Sequence, residues 1–165
     1  SLKSLRSKFV QLSSSGGFAE GNIYIKRPKK MRLEYTRPPH IQVYANGFWL
    51  THVDTELGSV SRVPLKLTPA TFLIRERVRL SGDVMVKRVT RDAKTLSLEI
   101  VRRDEPKAGR YVITLADKPL NLRKWVVTDA QGITTSVTLI APEYNVTIPQ
   151  NKFIFDEPVT ESEIQ

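Results

Sequence analysis

A chain of 165 residues is long enough for one domain with its own core, and a hydrophobic content of 40% excludes a disordered protein. Cysteine is absent, which excludes disulfides, thiolate metal sites and cysteine nucleophiles. No run approaches the roughly 18 apolar residues of a membrane span, and the basic N-terminal sequence SLKSLRSKF lacks the apolar segment of a signal peptide. The net charge of +9 favours an anionic partner, such as nucleic acid, anionic lipid or an acidic protein surface.

The first residues of the chain show helical spacing. Apolar side chains stand at positions 2, 5, 9 and 12, with Lys3, Arg6 and Lys8 between them. This pattern predicts a short amphipathic helix over residues 2–12, and the serines and glycines at 13–17 predict a loop after it.

Strand signals follow in series along the rest of the chain. Apolar and polar residues alternate over residues 21–27, 31–35, 41–45 and 48–53, and Asn46-Gly47 predicts a tight hairpin turn before the last of these. Further strands are predicted at residues 84–89, 96–101, 111–115, 121–128, 133–140 and 153–155. Because hairpin turns separate most of them, we expect a mainly β fold with one large antiparallel sheet, in a single domain spanning residues 1–165.

A second short helix is predicted between the two groups of strands. Thr68 is a suitable N-cap and Pro69 suits the first helical position, and the helix presents Phe72 and Leu73. Two short helices cannot fill the concavity of a strongly curved sheet, so either the sheet closes as a barrel or the helices cap a hollow. Apolar walls would make that hollow a lipid or small-molecule site. The predicted wall comprises Ile23, Ile25, Met31, Leu33, Tyr35, Ile41 and Val43.

An arginine interrupts the alternation of the first predicted strand. Arg27 stands where the next apolar side chain after Ile23 and Ile25 should be. A charge on a buried face needs a partner, and that partner is either functional or simply a carboxylate within the fold.

The sequence offers little catalytic chemistry. His40 and His52 flank the predicted hairpin but fit no zinc motif, and Asp54 and Glu56 lie in a predicted solvated loop. No nucleophile elbow, phosphate-binding loop or dinucleotide motif is present. We therefore expect no catalytic residue, no metal site and no cofactor.

Several motifs together resemble the LolA family of periplasmic carriers of outer-membrane lipoproteins. They are Phe9-x-Gln11, the block GNIYIKRPKKMRLEYTRP from Gly21 to Pro38, Asn46-Gly47, Thr68-Pro69-Ala70-x-Phe72-Leu73, Asp129-x-x-Gly132-x-Thr134 and Phe153-x-Phe155-x-x-Pro158. The resemblance covers nearly the whole chain in register. Met31 and Leu33 depart from it, since they stand where the family usually has phenylalanine and tryptophan, and the N-terminal helix looks shorter than the family's.

The resemblance implies an incomplete, strongly curved antiparallel barrel with short lid helices over an apolar cavity. Ile23, Ile25, Met31, Leu33, Tyr35, Ile41, Val43, Phe72 and Leu73 would then line the acyl-chain cavity. Arg27 matches the arginine that holds the family's lid closed. The implied partners are acylated lipoproteins, an inner-membrane lipoprotein-releasing ABC transporter and an outer-membrane lipoprotein receptor, and the implied location is the periplasm. We expect a monomer without enzymatic activity.

Other functions stay open at this point. One is a sibling role on the same scaffold, either a LolB-like lipoprotein receptor or a carrier of another lipid. Another is a basic interaction module without a cavity, although nucleic acid is disfavoured because Tyr35, which flanks the densest basic cluster, is predicted to point inward. Lys29, Lys30 and Arg32 are expected beside the cavity rim, where they could meet acidic patches on the transporter or receptor.

Overall fold

The computed structural model describes residues 2–65, 84–117 and 121–155, which form eleven strands and one short 3₁₀ helix. The strands are β1 (Ser4–Ser13), β2 (Phe18–Lys26), β3 (Lys30–Arg37), β4 (Ile41–Asn46), β5 (Trp49–Asp54), β6 (Ser59–Pro64), β7 (Val84–Arg91), β8 (Thr95–Arg102), β9 (Arg110–Ala116), β10 (Asn121–Thr128) and β11 (Thr134–Tyr144). The 3₁₀ helix spans Gln150–Phe153.

All eleven strands belong to one antiparallel sheet. Its order is β6-β5-β4-β3-β2-β1-β11-β10-β9-β8-β7, so two meanders meet where the first strand pairs with the last. The sheet is curved and does not close into a barrel, and β6 and β7 form its two edges. The prediction of a mainly β, incompletely closed antiparallel sheet is therefore confirmed.

The predicted N-terminal helix is wrong, because residues 4–13 form the central strand β1. Leu5, Ser7 and Phe9 are all buried on the apolar face, at the period of two that a strand requires. Because Ser7 is polar, the sequence does not show an alternation of apolar and polar residues here. The Ser7 hydroxyl is accommodated there because the carbonyl oxygens of Lys8, at 2.7 Å, and Ile140, at 3.1 Å, both lie within reach of its one hydrogen.

Strand β6 and residues 153–155 also differ from the prediction. Strand β6 was not predicted because nearly all of its side chains are exposed, so it shows no apolar alternation. The strand predicted at residues 153–155 is also wrong, since Phe153 ends the 3₁₀ helix. The helix predicted after Thr68, with Phe72 and Leu73, lies outside the described residues.

The core lies on one face of the sheet. Its buried side chains form one contiguous cluster that draws on both meanders and on both central strands. Cross-strand pairs such as Ile25 with Met31 and Phe9 with Leu139 show how alternate residues of neighbouring strands reach this concave face.

The C-terminal segment after β11 covers part of the opposite, convex face. Phe153 and Ile148 are buried, and the Phe155 ring lies 5.2 Å from that of Tyr44. Lys152 places its ammonium 3.1 Å from the Glu34 carboxylate, and its carbonyl accepts a hydrogen bond from Arg32. These contacts fasten the segment to β3 and β4.

We expect Phe153→Ala to lower the free energy of unfolding by about 3 kcal/mol, as is usual for truncation of a buried aromatic side chain. Phe153 is 1% exposed, whereas its neighbour Ile154 is 50% exposed, so Ile154→Ala is the matched control and should cost less than about 1 kcal/mol. Urea unfolding monitored by circular dichroism measures both. Equal losses in the two variants would contradict anchoring through Phe153.

Candidate functional site

The predicted wall residues lie together on the concave face. Six of them are buried, namely Ile23, Ile25, Met31, Leu33, Tyr35 and Val43, and Ile41 is partly buried against the same cluster. The register pairs Ile23 with Leu33, and Leu33 with Val43, so the wall runs unbroken across three strands. The inward phasing predicted from alternation is therefore observed for these strands.

The second meander contributes an apolar wall that sequence reasoning did not single out. Its side chains Leu98, Tyr111, Leu115 and Trp125 are only partly buried, in contrast to those of β2 and β3. The central strands add Phe9 and Leu139, which join the two halves. Alternation within β8–β10 was the signal that could have identified them.

A cavity of about 290 Å³ opens on the concave face at the end of the sheet where β1 ends and β4 begins. Apolar atoms of Phe18, Ala19, Tyr35 and Ile41 line it, together with other side chains. The polar lining residues are Gln11, Ser13 and His52. We call this end of the sheet the Tyr35 end. An apolar chain can pack against its floor while polar groups remain at the opening.

Tyr35 lies between this cavity and the core. Its ring meets that of Phe9 edge to face, with 5.2 Å between centroids, and its hydroxyl donates to the Gln11 side-chain oxygen at 2.7 Å. Burial raises the pKa of the Tyr35 hydroxyl to about 12, although the hydrogen bond with Gln11 acts in the opposite direction. The hydroxyl is thus held as a neutral donor in a largely apolar site.

This pKa predicts a loss of stability at high pH. An unfolded tyrosine has a pKa of about 10, so between about pH 10 and 12 the unfolded chain releases a proton that folded Tyr35 retains. The stabilisation is fully present below about pH 10, and about 2–3 kcal/mol of it is lost as the pH rises to about 12. Tyr35→Phe should remove this part of the pH dependence. Urea denaturation of the unmodified protein and of the variant, each repeated at several pH values between about 10 and 12, measures it. Parallel series for the two proteins would contradict it.

Arg27 lies at the other end of the sheet, immediately after β2, and we call this the Arg27 end. Its amide donates to the Lys3 carbonyl at 2.9 Å, and its guanidinium donates to the Leu2 carbonyl at 3.3 Å, among the contacts that it makes. Burial lowers the pKa of the Arg27 guanidinium from its usual value. Arg27 therefore holds the backbone that leads into β1, which the sequence had assigned to a lid helix.

Arg32 does not lie at the cavity rim as expected. It projects from the convex face, where its guanidinium lies 4.2 Å from the Tyr44 ring and donates to Gln42 and to the Lys152 carbonyl. The cause is the register, since Arg32 pairs with Tyr24 and Tyr44 on the face opposite Met31 and Leu33. Arg32 thus anchors the C-terminal segment.

The polar residues that the sequence considered for catalysis have structural contacts. His40 lies 3.4 Å from the Glu56 carboxylate, and Asp54 accepts hydrogen bonds from the amides of Glu56 and Leu57 in the turn after β5. Within the described ranges, no group of three or more His, Cys, Asp or Glu residues is placed to bind a metal ion. Among those same residues, no helix is long and apolar enough to cross a membrane.

Three solved structures share this fold. A LolA superfamily protein from Nitrosomonas europaea is 10% identical with a TM-score of 0.52, covering 93% of this chain and 91% of its own. A DUF1329 family protein from Desulfovibrio piger is 12% identical with a TM-score of 0.54, covering 100% and 92%. An uncharacterised conserved protein from Thermus thermophilus is 8% identical with a TM-score of 0.55, covering 92% and 83%. At such identities the likeness concerns the fold alone.

Sequence comparison identifies the family. No curated protein sequence matches the chain. The family model described as outer membrane lipoprotein carrier protein LolA, however, matches residues 1–156, which include all eleven strands and both ends of the concave face. The chain therefore belongs to the LolA family of outer membrane lipoprotein carrier proteins.

Proposed function

We propose that this chain is a periplasmic carrier that binds the acyl chains of lipoproteins against its concave face. It would take them from an inner-membrane ABC transporter and pass them to an outer-membrane receptor, as a monomer and without catalysis. The observation that carries this proposal is the unbroken apolar wall on the concave face of an unclosed sheet, in a chain of the LolA family. Family members are carriers, and a carrier needs an apolar surface that it can expose and cover again.

The proposed acyl-chain site has a floor, a continuation and an opening. Ile23, Ile25, Met31, Leu33, Tyr35 and Val43 form the floor, and Phe72 and Leu73, outside the described residues, would complete it. The partly buried side chains of β8–β10 continue the apolar surface into the second meander. The cavity at the Tyr35 end, lined in part by Ile41, would then be one opening of the site.

Release of the cargo sets a second requirement. Burying an acyl chain is worth about 0.8 kcal/mol per CH₂, so a rigid, fully preformed cavity would hold a chain of ordinary length too tightly to pass it on. A carrier must spend part of that energy on opening itself. We propose that Arg27 supplies the free-energy cost of opening, which offsets part of the gain from burying the acyl chain. Its charged hydrogen bonds form in the closed protein and break when the site opens.

The test is to purify the protein from periplasm and identify what accompanies it by native mass spectrometry. A bound lipoprotein, with the complex dissociated by detergent, is the expected result. Purified protein that neither carries lipoprotein nor accepts it from inner-membrane vesicles would refute the carrier function. Bound nucleic acid would favour the basic interaction module instead.

A carrier of a lipid without attached protein is the second candidate. The polar side chains of Gln11, Ser13 and His52 beside the apolar lining favour it, because they could bind a lipid headgroup at the opening. The same mass spectrometry separates the two, since free lipid and acylated protein differ in mass. A LolB-like receptor would instead take lipoprotein from a loaded carrier and accept none from the transporter.

A further inference from the structure

Two hairpin tips meet at the Arg27 end and present an aromatic side chain to solvent. The β4–β5 turn is joined to the β2–β3 turn, since the Gly47 amide donates to the Lys29 carbonyl at 3.1 Å. Phe48 at this tip is 80% exposed, which is the highest exposure among the large hydrophobic side chains of the described residues, and Trp49 is 50% exposed. We call this surface the aromatic-basic tip. It consists of Phe48, Trp49 and four nearby lysines, Lys3, Lys26, Lys29 and Lys30.

The exposed position of Phe48 is fixed by its backbone. The Phe48 carbonyl accepts a hydrogen bond of 2.8 Å from the amide of Leu65, whose side chain is buried in the core. Gly47, the preceding residue, is held by Lys29 as described above. The ring itself lies 5.8 Å from the Lys29 ammonium. A large apolar side chain held out in water in this way loses hydrophobic stabilisation that a partner surface could restore.

The charge around this tip has one sign. Lys26, Lys29 and Lys30 surround the β2–β3 turn, and Lys3 lies beside it at the start of β1. Residues 21–33 and 41–53, which build the two hairpin tips, contain no Asp or Glu. In the part of the chain that the structure describes, these four lysines form no ion pair, whereas Lys152 on the convex face pairs with Glu34.

We propose that the aromatic-basic tip docks this protein onto a bilayer that contains anionic phospholipid. Aromatic side chains favour the membrane–water interface, and each lysine near an anionic surface adds about 1 kcal/mol of attraction. Lysine charge alone would serve an acidic protein or a nucleic acid equally well. The fixed, solvent-facing Phe48 selects the bilayer, because interfacial insertion buries an isolated protruding ring without a matching pocket. Docking needs no cargo and is independent of the proposed carrier function.

Co-sedimentation of the full chain with vesicles tests the proposal. We expect binding to phosphatidylcholine vesicles that contain phosphatidylglycerol and no binding to phosphatidylcholine alone. Phe48→Ala should lower the partition coefficient on the order of tenfold. The double variant Lys29→Glu, Lys30→Glu should lower it by at least about fivefold for each lysine.

Controls at the Tyr35 end carry the same changes. Leu57→Ala removes another large apolar side chain, which is 78% exposed, and Lys107→Glu with Arg110→Glu changes the net charge equally at exposed positions. Both controls should bind vesicles as the unmodified chain does. A loss as large as at the tip would show general adsorption by net charge and overturn the proposal, as would binding that Phe48→Ala leaves unchanged.

Tryptophan fluorescence gives a second measurement that does not depend on the lysine variants. The anionic vesicles should shift the emission to shorter wavelength, and Trp49→Phe should abolish the shift while Trp125→Phe retains it. A shift that persists in Trp49→Phe would place the contact elsewhere and overturn the proposal. Displacement of the vesicles by a duplex oligonucleotide at equal phosphate concentration would assign the tip to nucleic acid instead.

Discussion

Substitution of Gly21 by alanine should lower the free energy of unfolding by about 3 kcal/mol, although it adds only one methyl group. Gly21 lies in β2 between Phe9 of β1 and Tyr35 of β3. A Cβ atom at this position would overlap the Glu34 carbonyl oxygen and lie 2.9 Å from the Tyr35 Cα. Both contacts are with backbone, so no rotamer change can relieve them, and β2 and β3 must move apart.

The absence of a side chain at Gly21 also lets the two neighbouring aromatic rings meet. Phe9 and Tyr35 flank the glycine in register, and their rings make the edge-to-face contact described above. Displacing β3 would break this contact and change the lining of the 290 Å³ cavity, to which Tyr35 belongs. We therefore expect Gly21→Ala to weaken the binding of an apolar fluorescent probe as well as stability.

Gly17→Ala is the matched control for this substitution. A Cβ atom at Gly17 would meet only the Ser13 Cβ, at an ordinary 3.6 Å, and the residue is exposed. Its cost should stay below about 1 kcal/mol in the same urea titration. If the two variants unfold at the same urea concentration, the close approach at Gly21 does not constrain the sheet.

The alternation of the sequence predicts the parts of the fold where a strand buries one face fully. Strands β2 and β3 are such a case, because alternate positions in each strand are apolar and buried. These positions are Ile23 and Ile25 in β2, and Met31 and Leu33 in β3. Their phasing, and with it the floor of the candidate site, could be derived without the structure.

The failures have physical causes that a single sequence does not reveal. In β1, Ser7 occupies an apolar-face position because its hydroxyl has backbone carbonyls within hydrogen-bond reach, and one of them, that of Ile140, is brought there by the pairing with β11. In β6, an edge position leaves both faces exposed, so there is no burial pattern to detect. Phe153 and Phe155 have the spacing of a strand, but Phe153 is buried by a 3₁₀ helix on the convex face. Each failure arises from the place of the segment in the folded sheet, which the local pattern does not encode.

Arg27 is the point at which sequence and structure agree only in part. The sequence placed a charge at a buried position and left its partner as either functional or a carboxylate within the fold. The side chain is indeed partly buried, and among the contacts that it makes is a hydrogen bond to the Leu2 carbonyl, just before β1. The latch that we propose therefore acts on the backbone entering β1, next to the junction of the two meanders.

Arg27→Leu should slow the transfer of lipoprotein to acceptor membranes by about tenfold or more, while uptake of cargo continues. One charged hydrogen bond contributes about 1.5–3 kcal/mol, so its loss shifts the balance between closed and open protein by at least about tenfold. In the unmodified protein, re-forming the Arg27 hydrogen bonds on closing favours release of the acyl chain. The variant lacks this contribution, so the bound acyl chain stays in the site. The measurement is the rate at which radiolabelled lipoprotein moves from the loaded protein to receptor-containing vesicles.

Stability separates this latch from a merely structural role. Burial lowers the pKa of Arg27, so its charge is held at a cost, and an apolar leucine, although shorter, should leave the free energy of unfolding within about 1 kcal/mol of its original value. Arg27→Lys should restore part of the transfer rate, because it keeps the charge but loses the planar guanidinium. Arg37→Leu removes an exposed arginine from the Tyr35 end and should transfer normally. A variant Arg27→Leu that unfolds easily would indicate a structural role, and one that transfers at the original rate would exclude the latch.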